Sequence, residues 1–202
     1  KTLVNNGKSH FLYAYYNVSK LNVSVNGFVD RLVHLPGEES QTALLEVTVL
    51  DDIVDVTNNV NITVESSDSS VVVVDGLTLK IADNADGVAT IKILIDGVEY
   101  EKFNVTAIDY DGLGYKTVST KAEFLAMQGT EKYVLINDIK IDGWLAKADY
   151  TPLINKLEED AVIDGNGHFV TGGKLPGGWN KCWISEVYGT VRNIAFTNLR
   201  NA

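Results

Sequence analysis

The stretch AVIDGNGHFVTGG, at residues 161–173, decides the fold of the second half of the chain. It is preceded by YVLINDIKI at residues 133–141 and followed by GTVRNIAFTNL at residues 189–199. Each segment is a short apolar run ending in Asn, Asp or Gly, and the runs recur about every 25 to 30 residues, a period typical of a solenoid. Because the last run lies close to Ala202 and the chain has no initiating Met, we expect a fragment from a longer protein.

Charge and cysteine content restrict the class of protein. The 202 residues include 17 Lys and Arg against 27 Asp and Glu, a formal net charge of -10. That charge disfavours nucleic acid and anionic membranes as partners, because it repels phosphate. Cys182 is the single cysteine, which excludes an intrachain disulfide. No apolar run approaches the roughly 20 residues that cross a bilayer, so we predict no membrane insertion within this chain.

The first half reads as a series of strands after an ambiguous start. Residues 1–19 fit either a strand docked on the following domain or the tail of a preceding one. From residue 20 to residue 109, short segments alternate apolar and polar residues, as in a sheet with one buried face. Three Asp-Gly pairs, beginning at Asp75, Asp86 and Asp96, predict tight turns between them. About seven short strands with such spacing predict a β-sandwich.

Three segments of this half carry a family resemblance. They are NITVESSDSSVVVVDGL at residues 61–77, DGVATIKI at residues 86–93 and YEKFNVTA at residues 100–107. Their order resembles the bacterial Ig-like family that is often repeated along surface proteins. The resemblance implies an Ig-like β-sandwich acting as a spacer or stalk. It departs from the family at Val64 and Glu65, where Trp is usual before the serine-rich corner, and in the acidity of residues 51–56.

The segment IDYDGLG, at residues 108–114, predicts a hinge, because it contains two glycines and two aspartates. Asp109 and Asp111 are weak candidates for holding a calcium ion between the domains. A calcium site needs six or more oxygen ligands, and the sequence offers only these two obvious ones. The favoured interpretation is a solvated linker.

After the hinge, the pattern changes to that of a capped stack. Residues 119–127 predict a short helix with Ser119 or Thr120 as its N-cap. Such a helix would cover the open end of a stack of strands, which otherwise exposes apolar surface. Residues 151–157 predict a second short helical or irregular excursion.

The second half resembles bacterial right-handed β-helix proteins. The residues that carry the resemblance are Asn-Asp-Ile at 137–139, IDGNGH at 163–168 and GTVRNI at 189–194. The resemblance implies that residues 110–202 form the first coils of a right-handed parallel β-helix. It implies no activity, because lyases, hydrolases, adhesins and phage tailspikes all use this fold.

Few residues suggest catalysis. Asp164, Asn166 and His168 share one turn and suggest a general base or a ligand pair, but turn hydrogen bonding is the favoured explanation. Two facing carboxylates would indicate glycoside hydrolysis, for which Asp138, Asp142 and Asp164 qualify by residue type alone. We assign no catalytic residue and no protein-ligated metal.

Three tryptophans, Trp144, Trp179 and Trp183, are the candidate ligand-binding residues, because exposed indoles stack on sugar rings. Trp179 follows two glycines and is the one most expected to be exposed. The favoured alternative is that all three cover the core or the junction, since large aromatic side chains are on average well buried.

These patterns together predict an all-β protein: an Ig-like β-sandwich, then a short right-handed parallel β-helix with a capping helix. We expect a non-catalytic, adhesin-like protein, secreted or displayed on the cell surface, that binds extracellular glycan or protein ligands. One alternative is the N-terminal module of a polysaccharide lyase or glycoside hydrolase whose later coils are catalytic. Another is a phage fibre or tailspike component, which would be trimeric.

Overall fold

The protein is almost entirely β in the computed structural model, which describes residues 21–146, 151–175 and 182–201. Within these residues, the helical elements are one short α-helix, α1 (Lys121–Leu125), and one 3-10 turn, Thr57–Asn59. The predicted all-β class is therefore confirmed. Residues 1–19, for which the sequence left two alternatives, lie outside the described part.

The N-terminal region, residues 21–109, contains ten strands in three sheets around one core. They are β1 (Asn22–Asn26), β2 (Arg31–His34), β3 (Thr42–Leu44), β4 (Glu46–Asp51), β5 (Val54–Asp55), β6 (Ile62–Ser66), β7 (Val72–Asp75), β8 (Thr78–Ile81), β9 (Asp86–Ile95) and β10 (Val98–Asp109). The sheet orders are β1-β4-β5, β2-β10-β9-β6 and β3-β8-β7. All described pairings are antiparallel except that of β10 with β2.

The alternation of buried and less buried side chains along the strands creates this core. In β9, every second side chain from Ala89 to Ile95 is buried, and the intervening residues are half-buried. Asp96 and Gly97 both have positive φ, 49° and 79°, as the two-residue turn between β9 and β10 requires. The predicted Asp96-Gly97 turn is thus confirmed.

Two details of the N-terminal region differ from the sequence prediction. Asp86-Gly87 is not a turn: β9 begins at Asp86, which pairs with Ile108 of β10. The prediction also missed β2, β3 and β5. Strand β2 pairs with β10, about 75 residues further along the chain, so no local turn signals its presence.

The C-terminal region, residues 110–201, contains ten more strands, and all its described pairings are parallel. They are β11 (Lys116–Val118), β12 (Lys132–Leu135), β13 (Ile139–Trp144), β14 (Ile154–Leu157), β15 (Val162–Asp164), β16 (Phe169–Leu175), β17 (Ile184–Val187), β18 (Thr190–Arg192), β19 (Ala195–Thr197) and β20 (Arg200–Asn201). The sheet orders are β11-β12-β15-β18, β13-β16-β19 with β20 also on β16, and β14-β17.

Equivalent residues of successive strands lie side by side in these sheets. Tyr133 of β12 pairs with Ile163 of β15, which pairs with Val191 of β18. The helix α1 begins after Thr120, whose hydroxyl accepts from the backbone N–H of Glu123 in a capping box. This confirms the predicted helix and its cap. The expected helical or irregular excursion at residues 151–157 is wrong, because Ile154–Leu157 is strand β14, paired in parallel with β17.

A small core joins the two regions. Ile108, Tyr110, Tyr115 and Val134 are buried together there. Tyr110 is 0% exposed and Asp109 is 6% exposed, so the predicted solvated linker is wrong for these two residues. Asp111 is exposed. The turn residues of the segment were recognised correctly, but the apolar and aromatic residues between them pack against both regions.

Candidate functional site

The junction is organised around the buried carboxylate of Asp164, which is 0% exposed. Its Oδ2 accepts from Arg192 Nε at 2.7 Å and from the Tyr110 hydroxyl at 3.0 Å. Its Oδ1 accepts from the backbone N–H of Asn166 at 2.8 Å and from Asn193 Nδ2 at 3.1 Å. These four donors fill the acceptor positions of an ionised carboxylate, which makes its burial tolerable.

The strand register places Asp164 beside its cation. Asp164 ends β15, Arg192 ends β18, and the two are paired in the parallel ladder. The sequence carried a signal for this contact, because Val-Ile-Asp and Thr-Val-Arg occupy equivalent places in consecutive repeats. The turn chemistry around Asp164 gives no indication of Arg192, which lies one repeat further along the chain.

Arg192 also connects the two regions. Its Nη2 donates to Asp86 Oδ2 at 2.8 Å, and Asp86 opens β9 of the N-terminal region. Burial opposes the charge of Arg192, but the hydrogen bonds with Asp86 and Asp164 outweigh this effect and raise its pKa. The guanidinium therefore stays charged and connects one carboxylate in each region.

Arg31 of β2 reaches the same cluster from the N-terminal region. Its Nη2 donates to the Tyr110 hydroxyl at 2.9 Å, and its Nη1 donates to the Asn166 carbonyl at 3.4 Å. Since the Tyr110 hydroxyl accepts from Arg31, its own proton is directed to Asp164. Burial first, and then the charge of Asp164, raise the pKa of Tyr110, which keeps this hydroxyl protonated.

A groove of about 510 Å³ lies beside these residues, between the two regions. Its lining comprises Arg31, Thr106, Ile108, Gly167, Asn193, Ile194 and Ala195. The parallel register of β10 with β2 pairs Thr106 with Arg31. The other wall is built by Gly167 and residues 193–195 of the C-terminal region. Neither Arg31 nor Asn193 was singled out from the sequence as a binding residue.

Of the two calcium candidates, Asp111 is exposed, whereas Asp109 is surrounded by hydrogen-bond donors. Asp109 Oδ1 accepts from His34 Nδ1 at 2.8 Å and from the Gly112 N–H at 2.9 Å, and its Oδ2 accepts from the Asn84 N–H at 2.8 Å. These donors compete with a cation for the Asp109 oxygens. Within the described residues, no group of three or more His, Cys, Asp or Glu side chains is placed to hold a metal ion. The calcium site remains a prediction.

The predicted turn hydrogen bond at Asp164 is confirmed by the Asn166 N–H contact. Asn166 and Gly167 both have positive φ, 52° and 86°. His168 instead contacts Asp138, whose Oδ1 lies 3.1 Å from His168 Nδ1 and accepts from the Phe169 N–H at 3.1 Å. Asp142, the third carboxylate considered for hydrolysis, is exposed and lies 3.8 Å from Lys140 Nζ.

The tryptophans lie in different surroundings. Trp183 is half-buried between Phe124, with ring centroids 5.6 Å apart and nearly parallel, and Phe196, with centroids 5.0 Å apart. Trp144 ends β13 and is 38% exposed, with Lys174 Nζ 6.0 Å above its ring. Trp179 lies outside the described residues. Of the candidates that the structure describes, Trp144 presents the more accessible indole.

Comparison with protein-family models, curated proteins and solved structures finds no match to this chain. In the described part, no helix combines the length and apolar character that crossing a membrane requires. Function must therefore be inferred from the junction and its groove.

Proposed function

We propose that this chain is part of a non-catalytic, adhesin-like protein that is secreted or displayed on a cell surface. Residues 20–109 would be an Ig-like spacer, and residues 110–202 the capped start of a right-handed parallel β-helix. The β-helix would present ligand-binding surface to extracellular glycans or proteins. The parallel pairing of equivalent residues along three sheets supports the β-helix part of this proposal.

The observation that carries the proposal is the polar network between the regions. Arg192 bonds Asp164 in one region and Asp86 in the other, and Tyr110 bonds both Asp164 and Arg31. A hydrogen-bonded network around a buried, fully paired carboxylate such as Asp164 holds one arrangement of the groups around it. A spacer that presents a binding surface at a distance needs such a fixed junction, whereas the network leaves Asp164 no open position for acid–base chemistry.

The experiment is a capture assay combined with a test for turnover. The purified chain is applied to arrays of polysaccharides and of extracellular-matrix proteins, and soluble polysaccharides that bind are then incubated with it. We expect saturable capture without the appearance of reducing ends or unsaturated products. Release of such products would identify a lyase or hydrolase module, and the absence of capture on both arrays would overturn the binding function.

The oligomeric state distinguishes the proposed adhesin-like protein from the remaining alternative, a phage fibre or tailspike component. A phage fibre or tailspike component would be trimeric, because such assemblies gain their stability from three intertwined or closely packed chains. Sedimentation of the chain measures this directly. We expect a species with the mass of one chain, 22.1 kDa.

A further inference from the structure

We propose that the groove at the junction binds the carboxylate-bearing sugar of an acidic glycan, with Arg31 as the group that recognises the carboxylate. This proposal rests on the glycan-binding function proposed above and names both the site and the chemical class of the ligand. It places recognition between the two regions and not on the tryptophans.

Arg31 brings a positive charge to the groove. In the described part of the chain, Arg192 has two carboxylate partners, but no carboxylate lies within 4.0 Å of Arg31. A guanidinium has five N–H donors, of which two donate to Tyr110 and Asn166 and three have no partner among the described hydrogen bonds. The planar guanidinium matches a carboxylate in a bidentate geometry.

The Arg31 side chain is preorganised. Its 2.9 Å bond to the Tyr110 hydroxyl, with a longer contact of 3.4 Å to the Asn166 carbonyl, holds it between the two regions. A fixed guanidinium loses little conformational entropy when a ligand binds, which favours affinity. Grooves between domains are also a preferred place for ligand sites.

The lining of the groove favours a carboxylate. Among the described residues that line it, Arg31 is the one charged residue, so the groove presents a positive charge on a chain with a net charge of -10. Thr106 and Asn193 offer hydrogen-bonding groups for sugar hydroxyls, and Ile108 and Ile194 offer apolar surface for a ring face. A single guanidinium suits a singly charged carboxylate better than a phosphate, which usually requires more cations.

A second groove shares Arg31 with the first. It has a volume of about 460 Å³ and is lined by Arg31, Phe28, Val29, Asp30, Phe103 and Asn104. Phe28 is 46% exposed and packs edge to face on Phe103, with ring centroids 4.7 Å apart. An exposed aromatic ring beside the guanidinium favours an oligosaccharide, whose next sugar can stack there. Asp30 disfavours a second carboxylate at this position.

The test is titration of the chain with trigalacturonate, followed by backbone amide shifts in nuclear magnetic resonance and by calorimetry. The fully methyl-esterified trimer and the monomer galacturonate are titrated in parallel, as is acetate, which separates a sugar acid from a bare carboxylate. We expect shifts at Arg31, Thr106, Gly167 and Asn193, and weakening of about tenfold when the carboxylates are esterified.

Two variants test the site from different directions. Arg31→Gln removes the guanidinium and should weaken trigalacturonate binding about tenfold, while Arg200→Gln, which removes the same charge from an exposed strand end, should change it by less than about twofold. Because Arg31 also bonds Tyr110, Ala195→Trp provides an independent variant that fills the groove and keeps that hydrogen bond. It should abolish binding. Phe28→Ala should weaken the trimer but not the monomer.

Several results would overturn the inference: esterified and free trimers bind equally, Arg31→Gln binds like the parent chain, acetate binds as tightly as galacturonate, or the shifts map to Trp144 or Trp183. Absence of any shift at millimolar trimer would also overturn it. If the chain is nevertheless captured by another glycan or by protein on the arrays, the proposed function stands and only this site assignment fails.

Discussion

The two regions of the molecule bury their cores by different rules. In the N-terminal region, antiparallel strands alternate buried residues with half-buried or exposed ones, and charged side chains such as those of Lys80 and Asp75 pair in solvent. In the C-terminal region, equivalent residues of successive strands are stacked side by side. One of the stacked positions carries a buried charge, Asp164, and the paired residue of the next strand, Arg192, supplies the opposite charge.

The largest expected effect distinguishes these two kinds of ion pair. Arg192→Met leaves the buried Asp164 carboxylate without its cation, which should lower the free energy of unfolding by about 3 kcal/mol. The matched variant Lys80→Met breaks an exposed pair, whose side chains are 46% and 68% exposed, and should cause no measurable change. Urea unfolding of both variants provides the measurement.

A double variant tests the cause of that loss. Adding Asp164→Asn to Arg192→Met removes the buried negative charge and should restore part of the stability. If the double variant is less stable than Arg192→Met alone, the buried charge is not the source of the effect.

The second prediction concerns the closeness of stacked turns. A Cβ at Gly165 would collide with the backbone carbonyl of Asn193 and with Ile194 in the following turn, so Gly165→Ala should lose about 2 kcal/mol of stability. Gly87→Ala in the N-terminal region meets only the two Val71 methyl groups, at 3.0 and 3.7 Å, and should lose less than about 1 kcal/mol. Thermal unfolding of the pair measures the difference, and equal losses would contradict the distinction between backbone and side-chain contacts.

The third prediction concerns the junction itself. Tyr110→Phe removes the hydroxyl that joins Arg31 to Asp164 and should cost about 1.5 kcal/mol. Tyr115→Phe is the control, because its hydroxyl only accepts from Arg192 at the longer distance of 3.4 Å, and it should cost about 0.5 kcal/mol or less. Amide hydrogen exchange should show faster opening around residues 31 and 164 in Tyr110→Phe. Unchanged exchange there would mean that the hydroxyl does not hold the regions together.

The smallest expected effect concerns the dependence of stability on pH in the acidic range. Burial alone raises the pKa of Asp109, but the N–H groups of Gly112 and Asn84 and the His34 ring together hold it below its ordinary value of 3.8. Asp109 therefore contributes fully to the free energy of unfolding at pH values above its ordinary pKa of 3.8. This contribution is lost as the pH falls through the lower pKa of the folded state. Asp109→Asn should flatten the acid limb of the stability profile.

The matched carboxylate in the C-terminal region is Asp138. The Phe169 N–H, and then the His168 ring, lower the pKa of this exposed group against an opposing effect of burial. Asp138→Asn should flatten the acid limb less than Asp109→Asn, because exposed groups are screened by solvent. Chemical unfolding at a series of pH values tests both variants, and a larger change in Asp138→Asn would reverse the comparison.

Local patterns predicted much of the fold. Alternation identified the long strands of the N-terminal region, and the Thr120 capping box and the Asp96-Gly97 turn were recognisable from short-range chemistry. The missed elements depend on distant contacts: β2 is held by β10, and β14 is held by β17. Asp86-Gly87 has the sequence of a turn, but pairing with β10 keeps it extended.

The candidate site was less predictable than the fold. Asp164 was identified with its turn, but its contacts with Tyr110 and Arg192 join residues 54 and 28 positions away. Aligning consecutive repeats would have placed Arg192 beside Asp164. No sequence pattern places Arg31 at the groove, because that position results from the packing of one region on the other.

Strand β10 has a mechanical consequence. It runs parallel to β2 from Thr106 beside Arg31 to Asp109 beside His34, and the chain enters the C-terminal region immediately afterwards. A pull between the start of β2 and the end of β10 acts along the two strands in opposite directions. Their hydrogen bonds are then loaded together in shear and do not open one by one. Resistance to tension is governed by the unfolding rate, so this short ladder would resist such a pull more strongly than hydrogen bonds that open one by one.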